Sequence, residues 1–225
     1  MNPLLLLFAV LPGLLVAFAM FRVDRYEPEP FVPLALSFVF GAGATVPAVW
    51  VEMWAFEHLS AEPTVLETCV LAFVVVGLNE EVCKFLVLRL AAYPFSFFNE
   101  PLDGIVYSVM AAMGFATMEN LAYADRFGLE TVVLRALTAV PAHLFFAIIA
   151  GYFAGLAKFA PPARRARLLV RGLLLAVAMH GFYDLLMLQN WLDWLFVLAV
   201  VGLYMCLYFS GQLVREHLEN SPFRK

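Results

Sequence analysis

The chain has 225 residues, of which 64% are hydrophobic and only 14% charged, and its mean hydropathy is +0.86. Soluble domains are about half apolar and a quarter charged, so the composition excludes an ordinary soluble enzyme and indicates an all-α, polytopic transmembrane helix bundle. The net charge of −4 says little about partners, because the charges are segregated by loop.

Seven apolar runs follow one another at 2–22, 31–56, 64–90, 102–124, 131–157, 168–188 and 191–213. Each is long enough to cross about 30 Å of hydrocarbon at about 1.5 Å per residue. The first lacks a positively charged leader and is longer than a signal-peptide core, so it reads as a retained helix. The connection after it, Asp24-Arg-Tyr-Glu-Pro-Glu-Pro30, is stiffened by Pro28 and Pro30. Lys and Arg gather at Arg22–Arg25, around Arg89, at Lys158–Arg171 and at the C-terminus. The N-terminus and the connections near 57–63 and 189–191 carry none, and the one near 125–135 carries only Arg126 and Arg135. The positive-inside rule then places the N-terminus outside and the C-terminus inside, which requires an odd number of spans. One domain over 1–225 is expected. No internal repeat of the kind that builds many transporters is visible. The basic turn Pro161–Arg167 (PPARRAR) suits anionic lipid rather than nucleic acid. Cys69, Cys83 and Cys206 lie within apolar runs and read as small hydrophobes.

Against this background the ionisable residues inside the spans stand out. The third run holds Glu80, Glu81 and Lys84; the fourth, Glu119 beside Asn120; the fifth, His143; the sixth, His180 and Asp184. A carboxylate deep in a bilayer costs about 2.5–3.5 kcal/mol even on lenient insertion scales, and intramembrane ionisable residues mark functional sites by default. At helical spacing Glu80 and Lys84 share one stripe, with Lys84 placed to pair with either glutamate. His180 and Asp184 are also one turn apart, so the carboxylate can orient the imidazole. His143 follows Pro141, which releases a helical carbonyl, and shares a face with Ala147, Gly151 and Gly155, a small-residue stripe that permits close helix packing. Glu119, in the outer half of its helix with no basic neighbour, is expected to be an unpaired acid. Counted from the predicted cytoplasmic ends, these residues lie roughly 14–24 Å deep, so four helices are expected to bring them into one polar layer.

Two glutamates, two histidines and an aspartate suit hydrolysis, with a carboxylate as general base toward water and a histidine as proton donor or oxyanion stabiliser. The acids outnumber Lys84, so either protons or a divalent cation balance them. Zn2+ is the cation such a set would take, with ligands drawn from Glu81, Glu119, His143 and His180. The soluble H-E-x-x-H pattern is absent, and both the glutamic and the metal-dependent mechanism stay open. The same acids would also serve an ion- or proton-coupled transporter, and the small-residue faces a non-catalytic scaffold.

The motifs Glu80-Glu81-x-x-Lys84, Phe115-x-x-x-Glu119-Asn120, the isolated His143 and His180-Gly-x-Tyr-Asp184 together resemble the PrsW family of intramembrane proteases. The loop Asp24-x-x-Glu27-Pro-Glu29-Pro and the segment Pro101-Leu-Asp-Gly104 are similar too, so the resemblance runs from about residue 24 to 184. It implies a multi-pass cell-membrane endopeptidase that cuts a transmembrane protein near or within the bilayer; the best-known member acts on an anti-sigma factor. It also implies catalytic roles for Glu80, Glu81 and a histidine, carried here to His180, with His143 matching as well. The candidate site is therefore Glu80, Glu81, His180, His143, Asp184, Glu119 and Lys84. CAAX prenyl endopeptidases, which are distantly related, carry EExxxR, FxxxH and HxxxN. Here Lys84 comes one residue sooner, Glu119 stands for His and Asp184 for Asn. These departures point away from a prenylated substrate, and the added acid favours a bound cation.

Overall fold

A computed structural model describes residues 2–58, 63–189, 192 and 194–224; parts of the connections at 57–63 and 189–191 lie outside the described residues. The described residues are helical, with no strand among them. Helix α1 (Pro3–Val23) starts on Asn2, whose side chain accepts from the Leu4 amide, with Pro3 at the first helical position. Helix α2 (Phe31–Phe56) begins directly after Pro30. The third run is broken: α3 (Val65–Val70), capped reciprocally by Thr64 and Glu67, passes through a π-helical segment (Leu71–Leu78) into α4 (Asn79–Ala91). Then come α5 (Pro101–Phe127), α6 (Leu129–Leu137), α7 (Ala139–Phe159), α8 (Pro162–Leu188) and α9 (Trp194–Glu219). Among the described residues, six stretches are long and apolar enough to span a membrane, counting 129–159 as one; the composite α3–α4 corresponds to the remaining run expected from the sequence.

The fifth run differs from its expected form. It begins at Leu129 after Gly128, whose φ of 83° suits only glycine, and it breaks at Thr138. Pro141 has no amide to offer the Leu137 carbonyl, and its ring would crowd that oxygen in a continuous helix. The freed Leu137 carbonyl instead accepts from Tyr204 Oη on α9, at 2.8 Å.

Helix α5 is the axis of the bundle, buried over most of its length and packed by α1, α2 and α7. The α5–α7 contact depends on glycine. A Cβ on Gly104 would lie 2.3 Å from the Gly151 carbonyl oxygen, and one on Gly151 would lie 2.4 Å from the Gly104 oxygen. The π segment meets α8 as closely, where a Cβ on Gly181 would lie 2.4 Å from the Phe73 ring. Charged groups are inside while Phe31, Trp50, Leu66 and Tyr208 are exposed on the outer surface. That is the reverse of a soluble protein and the arrangement lipid demands.

Candidate active site

The π segment delivers the chain into α4 just before the glutamates, and such segments recur at functional sites. Asn79 fixes the start of α4 by donating to the Ala48 carbonyl of α2 at 2.9 Å. Glu80, Glu81 and Lys84 are all buried. Lys84 Nζ lies 2.6 Å from Glu81 Oε1 and 3.3 Å from Glu80 Oε2, so the one-turn spacing does let one ammonium serve both acids. The same Nζ lies 3.0 Å from His143 Nδ1 and sits over the Phe115 ring.

These contacts assign the protons on His143. An ammonium only donates, so Nδ1 must accept from Lys84. Nε2 then carries the ring proton and donates to Glu119 Oε2 at 3.1 Å. His180 differs: both of its nitrogens face carboxylates. Nδ1 lies 2.9 Å from Glu81 Oε1, and Nε2 lies 3.2 Å from Asp184 Oδ2 and 3.9 Å from Glu80 Oε2. Phe146 stacks on the His180 ring at 4.6 Å and fixes its plane. The two imidazoles stand edge to face, 5.7 Å apart.

The structure corrects the expectation that Glu119 has no basic partner. Arg135 reaches it from α6, with Nη2 2.7 Å from Glu119 Oε2. Arg135 Nε also donates to Asn120 Oδ1 at 2.8 Å, and its guanidinium lies 3.9 Å above the Tyr123 ring. Sequence reasoning placed Arg135 in a connection. Pro141, noted in the sequence for the carbonyl it releases, in fact divides the run at Thr138, and the short helix before the break carries Arg135 to the site. Sequence reasoning also passed over Glu52, an acid within the second apolar run, whose Oε1 has no hydrogen-bond partner.

A cavity of about 250 Å³ opens near the ends of α2, α5 and α8, with Leu134 and Arg135 of α6 in its wall. Glu52, Glu80, Glu119, Arg135, His143, His180 and Asp184 line it, with Tyr123 and Tyr183. Glu81 and Lys84 do not border it; they stand behind, holding His180 and His143. Thus all seven sequence candidates converge, but only five face the space a substrate would enter.

The donor set also suits a cation. Glu80, Glu119 and His143 each offer one atom, and these atoms lie within 4.8 Å of one another. Two carboxylates and an imidazole fit a divalent cation of the Zn2+ type. With Lys84 donating to Nδ1, the ring proton occupies Nε2; ligation by Nε2 would require that proton to move to Nδ1 and the ammonium to turn away from it. The sequence reading drew its metal candidates from Glu81, Glu119, His143 and His180; this group shares Glu119 and His143 with it and adds Glu80. Glu81 and His180 are committed to each other, and Glu81 also to Lys84.

A family model described as PrsW family intramembrane metalloprotease matches residues 29–210. The chain is 37% identical to the protease PrsW of Geobacillus kaustophilus, over 80% of this chain and 78% of that protein. It is 34% identical to protease PrsW of Clostridioides difficile (88% and 84% covered) and 30% identical to that of Bacillus subtilis (81% and 83%). No solved structure matches it significantly.

Proposed function

This chain belongs to the PrsW family of intramembrane metalloproteases and is a multi-pass cell-membrane peptidase, and from that premise we propose that it hydrolyses a transmembrane substrate with water activated at Glu80. The observation that carries this reading is the division of the glutamate pair: Glu80 borders the cavity, and Glu81 does not. The Glu80 carboxylate takes the proton of a water in the cavity as its oxygen attacks the scissile carbonyl. His180 Nε2, 3.9 Å from Glu80, delivers a proton to the departing amine. Asp184 and Glu81 hold its ring in place. Nε2–H of His143 and the Arg135 guanidinium face the same space and favour the developing oxyanion.

A divalent cation held by Glu80, Glu119 and His143 would supply Lewis-acid polarisation and a more acidic water. The family's description and the spacing of these donors favour this second reading, in which Glu80 is a ligand. The substrate class that fits both is a transmembrane protein, with an anti-sigma factor the type implied by the resemblance. The cavity lies at the end of the bundle away from the basic loops, so access is from the outer side under the N-out topology, within a single domain.

The test is cleavage of a co-reconstituted transmembrane substrate in nanodiscs, with elemental analysis of the enzyme. Glu80→Gln and His180→Ala should each abolish cleavage, and unchanged activity in both overturns the mechanism. Stoichiometric zinc that is lost on His143→Ala selects the metal-dependent form; full activity of metal-free protein selects the glutamic one.

A further inference from the structure

A second buried cluster of carboxylates lies at the opposite end of the bundle, and the proposed peptidase chemistry makes no use of it. Asp24 closes α1, Glu27 and Glu29 follow in the connection to α2, and Glu100 and Asp103 open α5. Asp24, Glu29, Glu100 and Asp103 are at most 3% exposed, and none of them is ion-paired among the described residues. One oxygen from each of Asp24, Glu100 and Asp103 lies within 4.8 Å of the others, although Asp24 and Glu100 are 76 positions apart in sequence.

Neighbouring groups satisfy only part of the cluster. Asp103 Oδ2 accepts from the Asn99 and Glu100 amides at 2.6 and 2.8 Å, and Tyr107 Oη donates to Glu29 Oε2. Among the described residues, Asp103 Oδ1, Glu29 Oε1 and both oxygens of Asp24 find no donor within hydrogen-bond distance; beyond that, the Glu27 backbone is the neighbour of Asp24, and Asp103 and Glu29 face each other. Buried polar groups are otherwise almost always satisfied, and an orphan calls for an explanation such as an ion. Burial, with Glu100 and Asp103 next in order, pushes the Asp24 carboxyl up to about 7. Burial does the same to Glu29. A cleft of about 280 Å³ lined by Phe21, Arg22, Asp24, Arg25 and Pro28 connects Asp24 to the surface.

We propose that Asp24, Glu100 and Asp103 bind a hard divalent cation, Ca2+ or Mg2+, which clamps the end of α1 to the start of α5. The donors are all oxygen, as hard cations require, and water through the cleft completes the coordination. Asp103 precedes Glu119 by 16 residues on one helix, about 24 Å at 1.5 Å per residue, so this site is separate from the catalytic one. The proposal does not rest on the peptidase reading, and its test reads binding rather than cleavage.

Full-length Glu80→Gln/His143→Ala protein, which lacks the other candidate ligand set, is titrated with Ca2+ and with Mg2+ by calorimetry. Tb3+ luminescence excited through tyrosine serves as a second probe, since Tyr107 touches the cluster. One cation should bind per chain, and adding Asp24→Asn or Asp103→Asn should weaken it at least tenfold. Absence of saturable binding in the folded double variant, or an affinity unchanged by either added substitution, overturns the proposal. If those added variants do not fold, thermal unfolding of the Glu80→Gln/His143→Ala protein decides. A higher melting temperature in Ca2+ or Mg2+ than in chelator supports the site; identical melting in all three overturns it.

Discussion

Arg135 and Glu119 form a 2.7 Å ion pair between the short helix α6 and the central helix α5. The pair spans the rim of the cavity and sets the orientation of the carboxylate to which His143 donates. It also explains how a fourth acid is kept in an already acidic site.

Arg135→Ala leaves Glu119 buried without its guanidinium, and breaking such a pair costs about 3–5 kcal/mol. Cleavage of a reconstituted substrate should fall at least tenfold and the melting temperature should drop. Arg135→Lys keeps the charge but loses the planar fork that also bonds Asn120, so it should fall between. Wild-type cleavage by Arg135→Ala would mean that the pair has no part in the site.

The two adjacent glutamates should separate by phenotype. Glu80 faces the cavity and shares Lys84 at 3.3 Å, whereas Glu81 holds Lys84 at 2.6 Å and His180 at 2.9 Å. Glu80→Gln should therefore lower the cleavage rate by about 10²–10⁴ and leave thermal stability near wild type. Glu81→Gln should lower both, because it loosens the contacts to Lys84 and His180 at once. Equal melting temperatures in the two variants would argue against this division of labour.

The half of this site that was legible in the sequence is the half built within single helices. Glu80–Lys84 and His180–Asp184 are contacts across one turn, fixed by a period of about 3.6 residues, and Ala147, Gly151 and Gly155 marked the packed face of His143. Arg135–Glu119 and Lys84–His143 were not legible, because each depends on how two helices are set against one another. The break at Thr138 governs the first of these: it turns a residue that counts as a loop cation into a wall of the cavity. The π segment at Leu71–Leu78 left no mark in a uniformly apolar stretch, and Glu52 was hidden by lying near the end of its run.

Helix spacing offers a prediction independent of chemistry. Gly104→Ala places a methyl 2.3 Å from the Gly151 carbonyl oxygen, against backbone that cannot swing aside, whereas a Cβ at Gly43 meets nothing within 4 Å. Overpacking of this kind costs about 1–3 kcal/mol. Gly104→Ala should therefore lower the unfolding midpoint in detergent, and Gly43→Ala should not. Equal stability of the two would show that α5 and α7 pack less closely than 104 and 151 require.

The proton assignment on His143 can be read directly. Because Lys84 has nothing to accept with, Nδ1 must be the bare nitrogen, and Nε2 must carry the hydrogen donated to Glu119. In chelator-treated protein, nitrogen NMR of 15N-histidine should find this single tautomer. Lys84→Met removes the donor that enforces it, and the ring should then exchange between tautomers; because two glutamates also lose their counter-charge, the variant should be markedly less stable. A protonated Nδ1 in the wild-type protein would place the lysine elsewhere, and with it the link between the glutamate pair and the oxyanion side of the cavity.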